Sequence, residues 1–206
     1  MIDNKIRVRS MAEKVLQNKA NIRFLQAVSD TQYVDVFINK ELVVDWLPFR
    51  RVSNYFSLLP GTYTIDILSS TDRSKKLLST NIIIKNGQIY TLALVRKAEE
   101  TEPYIVQNFP NVPFGEAKMR FLHLAPELPA LDFAVKDRDV VFENVAFQQV
   151  TDYLGLTPMT VDLELRTAGS KQVILPMPKL KFKANEACTI VLVGSKKEFS
   201  IIIIID

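Results

Sequence analysis

Thr62-Tyr63-Thr64-Ile65-Asp66-Ile67 alternates polar and apolar side chains, and Thr160-Val161-Asp162-Leu163-Glu164-Leu165 does so in the same phase. Alternation with a period of two marks a strand with one buried and one open face. Outward from these stretches, the chain matches itself at a near-constant spacing. Arg23-Phe24-Leu25 reappears as Arg120-Phe121-Leu122, and Asp35 reappears as Asp132, each 97 residues on. After one inserted residue the spacing becomes 98. Phe49, Val52 and Tyr55 then align with Phe147, Val150 and Tyr153, and Leu58, Pro60 and Thr62 align with Leu156, Pro158 and Thr160. A repeat of this length sets the unit of folding. The side chains differ between the copies while the inside-outside pattern stays, so the two halves are expected to bury equivalent faces.

The first copy reads as about seven strands, near 22–28, 33–39, 52–58, 62–68, 77–85, 88–95 and 103–107. Asn86-Gly87 lies between Ile82-Ile83-Ile84 and Ile89-Tyr90, and both residues tolerate positive φ, which predicts a hairpin there. Asn185-Glu186 holds the same place in the second copy, and Pro60-Gly61 marks another tight turn. Short strands at regular intervals, separated by turn residues, point to an all-β sandwich of two sheets in each copy. Phe109-Pro110-Asn111-Val112-Pro113-Phe114-Gly115 is rich in breakers and reads as a stiff linker. Ser10 and Glu13 form a capping-box pair for a helix over roughly 11–18. Two turns are marginal in isolation, so that helix needs a surface to pack on. The division is then an N-terminal arm with a short helix (1–20), a first β-sandwich repeat (21–108), a Pro-rich linker (109–117) and a second β-sandwich repeat (118–206).

The totals narrow the function classes. A chain of 206 residues with 48% hydrophobic content can hold two domains of about 100 residues, each with a workable core. The single cysteine, Cys188, excludes an internal disulfide framework and is compatible with a reducing compartment. The net charge of +3 is matched by the arm alone, where Lys5, Arg7, Arg9, Lys14 and Lys19 stand against Asp3 and Glu13. No concentrated basic face with aromatic or helix-borne readers is visible, so nucleic acid is not an expected partner. Residues 1–20 lack the continuous apolar stretch of a secretory signal, and no run reaches the roughly eighteen apolar residues of a membrane span. Synthesis in the cytoplasm without a standard export route is the expectation.

Three stretches carry a family resemblance: Val34-Asp35-Val36-Phe37-Ile38-Asn39, Pro48-Phe49-Arg50-Arg51-Val52-Ser53-Asn54-Tyr55 and Leu59-Pro60-Gly61-Thr62-Tyr63. They resemble the bacterial "domain of unknown function 4397" family. Its usual opening is a strand, then His-Ala-Ser-Pro-Asp-Ala-Pro, then Val-Asp-Val. The second copy keeps part of this as His123-Leu124-Ala125-Pro126-Glu127-Leu128-Pro129, while the first has Gln26-Ala27-Val28-Ser29-Asp30 and no proline. The resemblance covers nearly all of residues 21–206. It implies two tandem immunoglobulin-like or transthyretin-like antiparallel β-sandwich domains, of a kind often found at bacterial surfaces. A spore-coat protein assembled inside a mother cell would need no export signal. The family supplies no catalytic residues to carry over.

Each candidate site has two readings. His123 is the only histidine, so a catalytic triad or zinc cluster must use it, with Glu127 and Asp132 as the nearest further ligands. Gln26 at the matching position favours a strand-end hydrogen-bonding role instead. Asp35 and Asp132 are either a paired ligand site or, preferably, buried acceptors at a sheet edge. Tyr55 and Tyr153 fill core and bond a turn, or bind as aromatics. Arg50-Arg51 and the stretch Arg73 to Lys76 are basic clusters that engage an acidic polymer or simply face solvent. Cys188 reads as an inert buried thiol. Residues 201–205, five isoleucines, should close the second sandwich as a strand covered on both faces, with a pairing edge for another subunit as the alternative.

No catalytic, metal-binding or cofactor-binding residue is therefore assigned, and no cofactor is expected. The first function is a non-catalytic structural or assembly protein of the cell or spore surface, joining copies of itself as a homo-oligomer or filament through residues 1–20 or 201–206. The alternative is a module binding carbohydrate or another cell-envelope polymer. An enzyme ranks last, and would lose turnover on His123→Ala while still folding.

Overall fold

A computed structural model of the chain describes residues 19–97 and 100–206, with only the backbone of Lys97. The helix expected over 11–18 lies outside the described residues. The chain divides into two compact units, one built on Thr31–Leu94 with Glu100–Asn108 and the strand ending at Gln26, the other on Phe109–Asp206. All the regular elements described are strands.

The first unit contains β1 (Ala20–Gln26), β2 (Tyr33–Ile38), β3 (Glu41–Pro48), β4 (Phe56–Leu58), β5 (Gly61–Ser69), β6 (Lys76–Ile84), β7 (Ile89–Lys97) and β8 (Glu100–Asn108). One sheet runs β4-β1-β7-β8 and the other β3-β2-β5-β6. The second unit contains β9 (Ala117–Leu124), β10 (Leu131–Val135), β11 (Val140–Val145), β12 (Gln149–Val150), β13 (Leu154–Leu156), β14 (Met159–Thr167), β15 (Val173–Phe182), β16 (Glu186–Gly194) and β17 (Phe199–Ile205). Its sheets run β12-β9-β16-β17, with β13 also on β9, and β11-β10-β14-β15. Strand for strand, the order is that of the first unit. Even the two-residue β12 has its counterpart, the isolated bridge of Leu25 with Val52.

The register repeats as well. Arg23 pairs with Thr91 and Phe24 with Leu92, and Arg120 pairs with Thr189 and Phe121 with Ile190. These two pairings, β1 with β7 and β9 with β16, are parallel, while the other described pairs are antiparallel. Parallel neighbours need a long crossover, which here is the whole of the opposite sheet. The stretches that decided the fold behave alike: Ile65 and Ile67, and Leu163 and Leu165, are fully or almost fully buried, with Tyr63 and Val161 half-buried beside them. In the second unit Phe121, Ile190 and Leu192 of one sheet meet Phe133, Leu163, Leu165 and Met177 of the other, and the Phe121 and Phe133 rings lie 5.1 Å apart. Each such side chain contributes roughly 1.5–3 kcal/mol by leaving water.

Four expectations change. The first unit has eight strands and not about seven: β3 is the addition, and a shift in pairing near Trp46, whose φ is +53°, breaks the alternation that would mark it in the sequence. The strand expected over 52–58 shortens to β4. The Asn86-Gly87 turn does form, with Gly87 at φ +68°, but β6 and β7 belong to different sheets, so it is a corner between layers and not a hairpin. Finally, residues 201–205 are not covered on both faces. β17 is the outermost strand of its sheet, with Ile203 47% and Ile205 54% exposed.

Candidate functional site

The strongest candidate is a surface cleft of the second unit, and its origin lies in the matched aspartates. Asp35 sits on β2, fully buried, and its Oδ1 accepts the Trp46 amide at 2.9 Å. Asp132 on β10 is 5% exposed, and its Oδ1 accepts the Asn144 amide at 2.7 Å. Trp46 and Asn144 both have positive φ (53° and 51°), beside a register shift of the edge strand. In each unit, then, an aspartate holds a bulge in the neighbouring strand by taking the amide that the bulge frees from the ladder.

What covers the second oxygen differs. In the first unit Arg73, from the β5–β6 loop, donates through Nε to Asp35 Oδ2 at 2.6 Å and through Nη2 to Asp45 Oδ1 at 3.0 Å. Ser70 Oγ donates to Asp35 Oδ1 at 2.5 Å. Burial pushes the Asp35 carboxyl up, but the hydrogen bonds from Ser70, Trp46 and Arg73, with the guanidinium charge, outweigh it and hold the group below the usual carboxylate range. In the second unit Asp132 Oδ2 accepts the amide of Gly169 at 2.8 Å, and Lys171 stands where the first unit has Arg73. Space opens there: a cleft of about 640 Å³, lined by Asp132, Glu143, Asn144, Arg166, Ser170 and Lys171 among others. Beneath it, Arg166 is buried, donating through Nε to Glu164 Oε1 at 2.6 Å and through Nη1 to the Arg138 carbonyl at 3.0 Å.

Residues 20–134 and residues 117–206 each match the family described as domain of unknown function (DUF4397). The chain belongs to the DUF4397 family. No curated protein matches it. Among solved structures, it is similar to a family 26 carbohydrate-binding module of Eubacterium rectale in complex with maltoheptaose, at 6% identity and a TM-score of 0.27, covering 89% of this chain and 96% of that one. It is also similar to a leucine-rich repeat protein of Bacteroides thetaiotaomicron, at 14% identity and a TM-score of 0.23, covering 86% of this chain and 26% of that one.

The histidine of the DUF4397 opening, His123, is fully buried at the end of β9. Its Nδ1 accepts the Ala125 amide at 3.2 Å, so Nε2 carries the proton and donates to the Pro129 carbonyl at 3.1 Å. Gln26 does the same work in the first copy, donating to the Thr31 carbonyl at 2.9 Å. Glu127 instead accepts the Lys196 amide and Asp132 holds its bulge, so the three residues weighed as metal ligands are not brought together. Among the described residues no three His, Cys, Asp or Glu side chains gather as a metal site.

Both DUF4397 units also share a polar cluster that the sequence reading missed. Arg23 Nε donates to Thr91 Oγ1 at 2.9 Å and Arg120 Nε to Thr189 Oγ1 at 2.9 Å, and the guanidinium groups lie over Tyr55 and Tyr153, at 4.6 and 4.3 Å from the ring centroids. Asn108 completes the first cluster, donating to Thr91 and Tyr55. Asp206 completes the second, accepting from Thr189 at 2.5 Å and from Tyr153 at 2.8 Å. Burial and the Asp206 charge push the Tyr153 phenol up, so it stays a donor. The signal was in the sequence: Thr91 with Thr189, and Asn108 with Asp206, keep the spacing of 98. Cys188 is buried, and burial with the charges of Asp206 and Glu186 raises its thiol to about 12, an unreactive setting.

Proposed function

We propose that this chain is a non-catalytic assembly protein, whose second unit joins a second copy through the outer edge of β17. One observation carries the reading. β17 presents Ile201, Ile202, Ile203, Ile204 and Ile205 on an outermost strand, without a charge or a proline from Ser200 to Ile205. The matching edge of the first unit, β8, carries Glu100, Glu102 and Pro103. Charges and proline are how folded proteins keep strand edges from pairing, so the first edge is guarded and the second is bare. Pairing of β17 with its own copy is isologous and closes after two chains.

The test is light scattering with sizing across a concentration range. A dimer is expected, and Ile203→Lys, at an exposed position, should give a monomer with stability within about 0.5 kcal/mol of the parent. A strict monomer at every concentration, or a dimer untouched by Ile203→Lys, ends this reading. Deleting residues 1–18 separates it from assembly through the arm.

A second reading is a ligand-binding module for a polymer, and the open cleft at Asp132 supports it. A soluble glycan of the cell envelope is one candidate, although no aromatic ring lines the cleft for a sugar to stack on. A ligand that prefers the folded state raises the melting temperature, so a thermal-shift screen of envelope glycans tests it.

A further inference from the structure

We propose that the cleft of the second unit receives a guanidinium group, in the form of an arginine side chain presented by a partner. The inference rests on the binding reading of that cleft and is independent of β17. Its ground is the first unit, which contains the occupied version of the same place. There, one guanidinium spans two carboxylates, Asp35 at the floor and Asp45 at the rim, at 2.6 and 3.0 Å. The second unit has both acids, as Asp132 and Glu143, but no arginine: Lys171 stands at its place. The cleft of about 640 Å³ lies there, lined by both acids.

The chemistry of the lining agrees. Asp132 takes two backbone amides, one on each oxygen, and a carboxylate has acceptor sites to spare beyond those. The Glu143 side chain is exposed, and neither it nor Lys171 has a side-chain hydrogen bond or ion pair among the described residues. The buried Arg166 is held by Glu164 and two backbone carbonyls, so its charge is already matched. An ammonium reaches such a pair as a point charge, whereas a planar guanidinium offers donors to both walls at once. Lys171 is therefore a poor counterpart of Arg73.

The experiment is an NMR titration of the full chain at low salt, reading the backbone amides of Gly169 and Asn144, which both sit on the Asp132 carboxylate. N-acetyl-arginine amide is the probe and the matching citrulline amide, neutral and nearly the same shape, is its control. A saturable shift of both amides with the arginine probe, and none with citrulline, is expected. Glu143→Gln should weaken that binding about threefold, the effect of one exposed ion pair. Lys171→Arg should abolish the response by restoring the internal plug of the first unit. No saturable shift, an equal response to citrulline, or indifference to Glu143→Gln overturns the proposal. Envelope glycans that shift the two amides while the arginine probe does not would keep the binding reading and overturn the guanidinium.

Discussion

His123 is held as a neutral donor, and that gives the second unit a titration the first lacks. Burial lowers its pKa below the ordinary 6.5, partly offset by the hydrogen bond to Pro129. The unfolded chain therefore binds the proton first on acidification. The stability is fully present above about pH 6.5 and is lost as pH falls toward the folded pKa. His123→Gln, which installs the first unit's residue, should fold and flatten the melting temperature between about pH 7 and about pH 5. Calorimetry against pH checks it, and an unchanged slope would refute the assignment. This position was legible in the sequence, because the two copies offered Gln26 and His123 for one job. Arg166 was not. It stands where the first copy has Leu68, and on an alternating strand it reads as an outward polar residue, yet with Glu164 it is buried. Nothing in the strand's own pattern records that a glutamate two residues away and the Arg138 carbonyl would satisfy it.

Among the strands, turn chemistry was easier to read than partnership. Asn86-Gly87 marks a turn correctly, but whether its flanks pair or change sheet depends on the distant β1, which takes β7 as its neighbour. β3 is a case of local pattern overruled by tertiary contact, since Asp35 pulls the Trp46 amide out of the ladder and spoils the alternation. The hairpin that presents β17 depends on a residue the sequence did not flag. Gly194 has φ +121°, and a Cβ there would lie 2.3 Å from the Glu198 carbonyl oxygen and 2.7 Å from the Phe199 Cα, both backbone atoms that cannot move aside cheaply. Gly194→Ala should cost roughly 2 kcal/mol or more. The loss should fall on the second unit, where protection of the β16 and β17 amides from hydrogen exchange reports it. A change within error would mean that the turn relaxes freely.

The duplication, the sandwich and its inside-outside pattern follow from one sequence compared with itself. The differences between the copies are where function has to be sought. The first unit guards its outer strand and fills its cleft with Arg73, while the second does neither. Pairing of β17 with its own copy limits assembly at that edge, because two identical edges that pair with one another leave neither β17 open to a third copy. A filament would need a second such edge. Transposing edge residues between the matched strands tests this directly. Ser200→Glu with Ile205→Gln gives β17 the residues of β8 at 102 and 107, and should return the protein to a monomer. The reverse graft, Glu102→Ser with Pro103→Ile and Gln107→Ile, leaves β17 in place and removes that charge and the proline from β8, so species larger than a dimer should appear and grow with concentration. Light scattering distinguishes the three states. If the reverse graft stayed a dimer, Glu102 and Pro103 would not be what keeps the first edge closed. If the forward graft stayed dimeric, the two copies would meet somewhere other than β17.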